Sequence, residues 1–302
     1  MTERELIQKI KELKEERQAV ILAHNYQQDA VQDVADFIGD SLELSRKAAA
    51  SKAKVIVFAG VHFMAESAAI LSPDKIVLLP DKLAGCPLAD SIDVEGLRRA
   101  KERWPEAAVV CYVNSAAAVK AESDVCCTSA NAVQVVNSLP QKQVLFVPDR
   151  NLANYVSRFT SKEIIPWDGC CVTHQRVTLA DLEAAREAHP GAPVLVHPEC
   201  RPEVVAAADF VGSTGAILRY AREARAEELL IGTEMGILYR LKKENPSKRF
   251  YLLTPGLVCP NMKLTTLEKI VKSLERLEPV ITVPEETRRR AICALERMLA
   301  VA

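Results

Sequence analysis

Short apolar runs of strand-forming residues recur along the chain, and several end in a cluster of polar side chains. Three of them are AVILAHNYQ (19–27), VVCYVNSAA (109–117) and PVLVHPEC (193–200). An apolar run rich in β-branched and aromatic residues, bounded by polar residues, is typical of a buried strand. We therefore predict a strand in each segment, with its polar cluster at the carboxyl end.

The three runs belong to an internal repeat. His24, Tyr112 and His197 occupy the same place in the runs and are 88 and 85 residues apart. Other sets keep the same intervals: Tyr26, Asn114 and Glu199; Asp36, Asp124 and Asp209; Ser41, Ser129 and Thr214. The stretch ADFIGDSLELSRKAA (35–49) also resembles ADFVGSTGAILRYAR (208–222). The chain therefore contains three copies of one unit.

Each copy carries two further apolar runs, which predict the order strand, helix, strand, helix, strand. The second runs begin VIVFAG, QVLFVP and ELLIGT, and the third begin KIVLLP, KEIIPW and RFYLLTP. Such continuous apolar runs favour small parallel sheets covered by helices on both faces. We predict an α/β protein of three homologous three-layer α/β/α domains related by a pseudo-threefold axis, with the active site at their common interface.

The predicted domain bounds follow the repeat. The first unit spans 1–83, the second 84–168 and the third 169–260, and helices within 261–302 complete the first unit. Leu6, Ile10 and Leu13 predict an amphipathic helix at the start of the chain, and Pro284 opens the last predicted helix.

Composition narrows the class of protein. Hydrophobic residues make up 49% of the chain, charged residues 26%, and the formal net charge is -1. These values are typical of a soluble globular protein and indicate neither a nucleic-acid partner nor a membrane. Nine cysteines without a signal peptide favour a reducing compartment, so we expect a cytoplasmic location.

One cysteine follows the third strand of each unit: Cys86, Cys171 and Cys259. Three thiolates that converge can bind zinc or an iron–sulfur cluster. A structural zinc site usually has four ligands and close C-x-x-C pairs, which the chain lacks, whereas a cubane held by three cysteines leaves one iron open. We interpret Cys111 and Cys293 as small apolar residues. Near the inferred mouth, we interpret Cys126, Cys127 and Cys200 as bystanders, whereas Cys170 is a direct neighbour of Cys171 and both thiols cannot easily point inward.

Motifs along the whole chain resemble those of the quinolinate synthase family. In order they are HNYQ, GDSLELSRKA, GVHFMAESA, GCPLADS, YVNS, WDGCCVTH, HPEC, GSTG and CPNMK. The resemblance implies the triplicated fold and one 4Fe-4S cluster per chain, held by Cys86, Cys171 and Cys259. It also implies condensation of iminoaspartate with dihydroxyacetone phosphate to quinolinate, with loss of phosphate and water, in NAD biosynthesis. A handover from the enzyme that makes iminoaspartate would fit this reaction.

The chain departs from the family pattern at two places. Cys170 stands where the family often has an aromatic residue, which leaves Cys170 as an alternative second ligand. Cys293 stands alone where some members carry a C-x-x-C-x-x-C run, so a thiol switch of that kind should be absent.

Roles follow from residue type and from the resemblance. Glu199 is the only carboxylate at the three matched strand ends, which makes it the first candidate for general base, and His24, Tyr26 and His197 are further candidates for proton transfer. Ser41, Ser129 and Thr214 precede predicted helices, where a hydroxyl and free N–H groups either bind an anion or cap the helix. The predicted substrate-binding set is His24, Ser41, Tyr112, Asn114, Ser129, His174, His197, Glu199, Ser213, Thr214 and Met262.

Other functions are compatible with three converging cysteines. A related threefold design is found in the reductase that makes isoprenoid diphosphates and in the radical enzymes of diphthamide synthesis, but HNYQ, YVNS, HPEC and CPNMK favour neither. A zinc-stabilised binding module would be a non-enzyme alternative, and it predicts a colourless protein.

Overall fold

The computed structural model describes residues 1–301 and contains three parallel sheets of four strands each. The strands of the first sheet are β1 (Ala19–His24), β2 (Phe37–Gly39), β3 (Val55–Ala59) and β4 (Ile76–Leu78). Their order across the sheet is β2-β1-β3-β4, and every neighbouring pair is parallel.

The other two sheets repeat this order. The strands of the second are β5 (Ala108–Tyr112), β6 (Val125–Cys127), β7 (Gln143–Val147) and β8 (Glu163–Pro166), and those of the third are β9 (Val194–Val196), β10 (Phe210–Val211), β11 (Glu228–Gly232) and β12 (Arg249–Leu252). The prediction of three repeated α/β units is confirmed. The prediction of three strands per unit was wrong, because each unit has a fourth strand at one edge of its sheet.

The unpredicted edge strands β2, β6 and β10 are only two or three residues long, too short to give a recognisable apolar run. Each begins directly after the repeated aspartate, and the structure explains why that aspartate recurs. The Asp36 carboxylate accepts the N–H of Ile21 at 2.7 Å, and the Asp36 N–H donates to the Ile21 carbonyl at 2.9 Å. Asp124 makes the same two contacts with Val109, and Asp209 makes them with Val194. The three aspartates therefore fix the first strand against the edge strand.

Helices alternate with the strands and cover the sheets. Their bounds are α1 (Glu3–Arg17), α2 (Asp29–Val34), α3 (Ser41–Ala50), α4 (His62–Leu71), α5 (Val94–Arg103), α6 (Ala117–Ala121), α7 (Ala132–Ser138), α8 (Arg150–Ser157), α9 (Leu179–Ala188), α10 (Pro202–Ala207), α11 (Thr214–Glu223), α12 (Ile237–Glu244), α13 (Leu267–Arg276) and α14 (Glu285–Ala300). Within residues 1–301, none of these helices is both long and apolar enough to cross a membrane.

Successive residues of β1 point into different cores, as expected for a sheet buried on both faces. Val20 and Leu22 join the large core shared by the first two sheets, whereas Ile21 and Ala23 face the core formed with α1 and α13. The third sheet likewise lies between two cores, one on each face.

The two C-terminal helices pack in different places. α13 lies beside α1 on the first sheet, and Leu267, Ile270 and Leu274 are buried there. α14 instead packs on α6 and β6 of the second sheet and on α4 of the first. The proposed bounds of the three units remain a prediction.

Candidate active site

The loops that leave the carboxyl ends of the three sheets line one cavity of about 760 Å³, including the part open to solvent. Of the residues predicted to bind substrate or metal or to transfer protons, all but Ser213 line it: His24, Tyr26, Ser41, Cys86, Tyr112, Asn114, Ser129, Cys171, His174, His197, Glu199, Thr214, Cys259 and Met262. Parallel sheets commonly bind ligands beyond these strand ends. The repeat therefore brings together side chains from every unit.

The three cysteines occupy equivalent surroundings. A short 3-10 helix follows each: Ala89–Ser91 after Cys86, His174–Arg176 after Cys171 and Asn261–Lys263 after Cys259. Backbone N–H groups near the start of these helices partly offset the rise in pKa that burial causes at each of the three sulfurs. Such donors stabilise a thiolate or a sulfur-bound cluster. Cys170 does not line the cavity.

The donor set suits a cluster better than a single ion. Among the residues that the structure describes, the three sulfurs do not all lie within 4.8 Å of one another, as ligands of one ion would. Burial raises the pKa of Cys86 to about 12, and burial likewise raises the pKa values of Cys171 and Cys259. The cysteines therefore carry their protons until a metal displaces them.

Two buried carboxylates hold two of the cysteine loops. The N–H of Cys171 donates to Asp149 at 3.1 Å, and the N–H of Cys259 donates to Glu234 at 3.1 Å. Burial, reinforced by the charge of Glu199, raises the pKa of Asp149 to about 8. The first unit has Val61 at the matching position, so the loop of Cys86 has no such carboxylate of its own.

His24 and His197 are held in the same way by their own loops. The Nδ1 of His24 accepts the N–H of Tyr26 at 3.2 Å, and the Nδ1 of His197 accepts the N–H of Glu199 at 3.3 Å. A neutral imidazole with Nδ1 as acceptor carries its proton on Nε2. That proton of His197 can donate to Ser129, 3.1 Å away. Burial lowers the pKa of His24 to about 3.

Glu199 is buried but only half satisfied. One carboxylate oxygen lies 2.7 Å from Nδ1 of His174, whereas the other has no hydrogen-bond partner. Burial alone would raise its pKa, but His197 and His174 outweigh this effect and hold the pKa of Glu199 well below its usual range. A buried oxygen without a partner is costly. Glu199 is therefore an ionised group with one oxygen available to a ligand.

His174 joins Glu199 to a cysteine. Its Nδ1 also lies 3.3 Å from the sulfur of Cys171. The donor atoms of Cys171, His174 and Glu199 all lie within 4.8 Å of one another. This corner of the cavity could bind a metal ion.

Neutral donors and acceptors also form part of the cavity wall. Asn114 has a buried side-chain oxygen without a partner. Burial, followed by the charge of Glu199, raises the pKa of both Tyr26 and Tyr112 well above the usual range, so both phenols stay protonated. The wall can therefore orient a polar ligand without burying further charge.

Two of the three hydroxyls predicted to bind an anion or cap a helix lie one residue past the cap. Asp40 caps α3 and Ser213 caps α11, which leaves Ser41 and Thr214 as the first helical residues. Ser213 also donates to Asp40 at 3.2 Å and does not line the cavity. The Thr214 oxygen accepts from Asn25 at 2.9 Å, so its O–H can donate to a ligand. Ser129 lies in the loop before α7.

Asp149, Thr233 and Glu234 were missed by the sequence analysis. Asp149 and Glu234 are 85 residues apart, so the repeat intervals could have found them. Their counterpart, Val61, differs in chemistry and broke the pattern. Thr233 has Gly60 and Pro148 at its matching positions, which gives no signal at all.

Comparisons with known proteins agree with this arrangement. A profile of the family described as Quinolinate synthetase A protein matches residues 8–300. The quinolinate synthase of Methanosarcina barkeri is 56% identical over 301 residues, which cover 100% of this chain and 99% of the relative. The chain belongs to the quinolinate synthase family.

Two further members of this family have similar identity and coverage. The quinolinate synthase of Dehalococcoides mccartyi (strain CBDB1) is 58% identical over 299 residues, 99% of each chain. That of Alkaliphilus metalliredigens is 54% identical over 302 residues, 100% of each chain. The relatives are enzymes, and membership makes this chain an enzyme of the same family.

Proposed function

We propose that the chain condenses iminoaspartate with dihydroxyacetone phosphate to quinolinate, with loss of phosphate and water, as a cytoplasmic step of NAD biosynthesis. The observation that carries the proposal is a single cavity that combines one thiol from each unit with an ionised, half-satisfied Glu199. Family membership supports the same reaction.

Cys86, Cys171 and Cys259 would hold one 4Fe-4S cluster. They line one cavity without all lying within 4.8 Å of one another, which suits such a group better than a single ion. When bound, the cluster supplies one open iron that acts as a Lewis acid toward a substrate oxygen.

Protons are handled by Glu199 and the side chains around it. The ionised carboxylate of Glu199 accepts a proton from substrate carbon through the oxygen that has no partner in the protein. Its other oxygen stays on His174, which fixes the direction of the carboxylate. His24 is neutral and donates a hydrogen bond, not its proton, to the substrate from Nε2, because its Nδ1 already accepts the N–H of Tyr26.

Anionic groups of the substrates bind at the helix starts. Ser41 and Thr214 place hydroxyls at the N-termini of α3 and α11, where the helix dipole favours negative charge. Tyr112, Asn114, Ser129, His197 and Met262 complete the lining that contacts the substrates.

An anaerobic assay of the cluster-loaded enzyme tests the proposal. We expect brown protein that forms quinolinate from the two substrates. A colourless protein that binds zinc, or a cluster-loaded protein that forms no quinolinate, would contradict it. The Cys293→Ala variant is a suitable control, because the Cys293 side chain is exposed on the surface of α14 and lies outside the cavity.

A further inference from the structure

Asn25 lies behind the cavity wall, between a predicted anion-binding hydroxyl and an arginine of the third unit. It directly follows β1 and is fully buried, but it does not line the cavity. Its amide nitrogen is 2.9 Å from the Thr214 hydroxyl oxygen, and its amide oxygen is 3.1 Å from the Arg240 guanidinium. One side chain of the first unit thus bridges two helices of the third, α11 and α12.

Arg240 fixes the direction of both hydrogen bonds. A guanidinium can only donate, so the Asn25 atom that faces it must be the amide oxygen. The amide NH2 group then faces Thr214 and donates to its oxygen. The hydrogen of the Thr214 hydroxyl is left for a ligand in the cavity, which Thr214 lines. Toward the cavity Thr214 is therefore a donor, and it suits an acceptor such as a carboxylate oxygen.

Arg240 is itself held on two sides. Its Nε donates to Glu244 at 2.5 Å, one turn further along α12. The nitrogen that donates to Asn25 also donates to the Ile38 carbonyl of β2 at 3.1 Å. Without the guanidinium, nothing would keep the Asn25 oxygen turned away from Thr214. A reversed amide would accept the Thr214 hydroxyl hydrogen, and Thr214 would lose its donor function toward a ligand.

We infer that Asn25 and Arg240 are positioning residues that make Thr214 a hydrogen-bond donor to a carboxylate of the substrate. The inference rests on the proposed function, in which Thr214 binds an anionic group. Selectivity for an acceptor oxygen at this place thus comes from two side chains that do not line the cavity.

The test reverses the hydrogen bond between Asn25 and Thr214. Asn25→Asp has nearly the same shape, but a carboxylate can only accept, so the Thr214 hydroxyl must donate to it and no longer to a ligand. The new negative charge lies beside Arg240, which limits its repulsion of the ligand. Titration calorimetry of the cluster-loaded enzyme with quinolinate gives Kd, and the anaerobic assay gives kcat and KM.

We expect Asn25→Asp to raise the Kd of quinolinate and the KM of iminoaspartate by about 10- to 100-fold, with kcat changed less than about 3-fold. In a Thr214→Val background the same substitution should change Kd less than about 3-fold, because the donor is already absent. Equal weakening in both backgrounds would show that the added charge causes the loss, and the inference would be wrong.

The Arg240 variants test the same inference without a new charge at Asn25. Arg240→Met removes the group that fixes the amide and should raise the Kd of quinolinate by about 3- to 30-fold. Arg240→Lys should recover most of this loss, because an ammonium also can only donate. Lys243→Met is the matched control, because Lys243 also lies on α12 and pairs with Asp33 of the first unit at 2.7 Å, but outside the cavity lining. This control should bind quinolinate as wild type does.

Two further outcomes would overturn the inference: a Kd in Arg240→Met equal to that in Lys243→Met, or a Kd in Arg240→Lys as high as that in Arg240→Met. If Asn25→Asp does not fold, the Arg240 variants decide the question. A cluster-loaded wild type that neither forms nor binds quinolinate would instead overturn the proposed function, and this inference with it.

Discussion

The free energy of unfolding should fall below neutral pH, because His24 takes up a proton in the unfolded chain but not in the folded protein. His24 is buried beside His197, and its pKa falls from an ordinary 6.5 to about 3. A histidine whose pKa is lower in the folded state resists protonation there, whereas the unfolded chain takes up the proton. The stability that depends on a neutral His24 is therefore fully present above pH 6.5 and is lost as the pH falls toward 3.

The size of this loss follows from the two pKa values. Between pH 7.5 and pH 5.5 the unfolded histidine becomes about 90% protonated while the folded one stays neutral, which costs about 1.4 kcal/mol in the free energy of unfolding. His24→Asn removes the titration. The Asn side-chain oxygen can still accept the N–H of Tyr26, as Nδ1 does now.

Urea unfolding of the metal-free protein at the two pH values measures the effect, because acid lability of a cluster then plays no part. The free energy of unfolding lost between pH 7.5 and pH 5.5 is compared between wild type and His24→Asn. The difference between the two losses isolates His24, because the other titrating groups contribute equally to both. His62→Asn, at an exposed position, serves as control. Equal losses in wild type and His24→Asn would show that burial does not depress the pKa of His24.

Three further predictions concern the proposed ligands and substrate contacts. Replacing Cys86, Cys171 or Cys259 singly by Ala should remove iron and visible absorbance, while Cys170→Ala and Cys111→Ala should keep both; iron loss in Cys170→Ala but not in Cys171→Ala would reassign the second ligand. Glu199→Gln should fold, load its cluster and lose turnover by about 100- to 10,000-fold in the anaerobic assay. Near-normal turnover with a raised KM would make Glu199 a binding residue and move the base to His24, Tyr26 or His197. Thr214→Val removes one donor to a bound anion and should weaken substrate binding by about 1–3 kcal/mol, measured by titration calorimetry with a dicarboxylate analogue; unchanged affinity, with Thr214→Ser as control, would argue against that contact.

Much of the site could be predicted because the repeat makes position informative. The intervals of 88 and 85 residues aligned His24, Tyr112 and His197 before any contact was known. One cysteine after each third strand then indicated a common metal site. In parallel sheets the ligand site lies beyond the carboxyl ends of the strands. The alignment of the repeats therefore predicted which side chains line the cavity.

Contacts between different units could not be predicted in the same way. The Tyr26–Thr233 and His174–Glu199 pairs depend on how loops from separate parts of the chain meet. Asp149 and Glu234 also escaped notice, because the first unit has Val61 at the matching position and the carboxylate therefore does not recur in all three copies. The edge strands were missed because two or three residues do not form a recognisable apolar run.

The aspartate contact at the edge of each sheet has an evolutionary consequence. Asp36, Asp124 and Asp209 each bond to the first strand of their own sheet, so the requirement is met within one copy of the unit. After a triplication, selection for folding would act on every copy separately. The strand-end positions are not tied to the sheet in this way, and the copies differ there, from His24 to Tyr112 and from Tyr26 to Glu199. Three once-identical modules could in this way acquire different chemical tasks around one shared cavity.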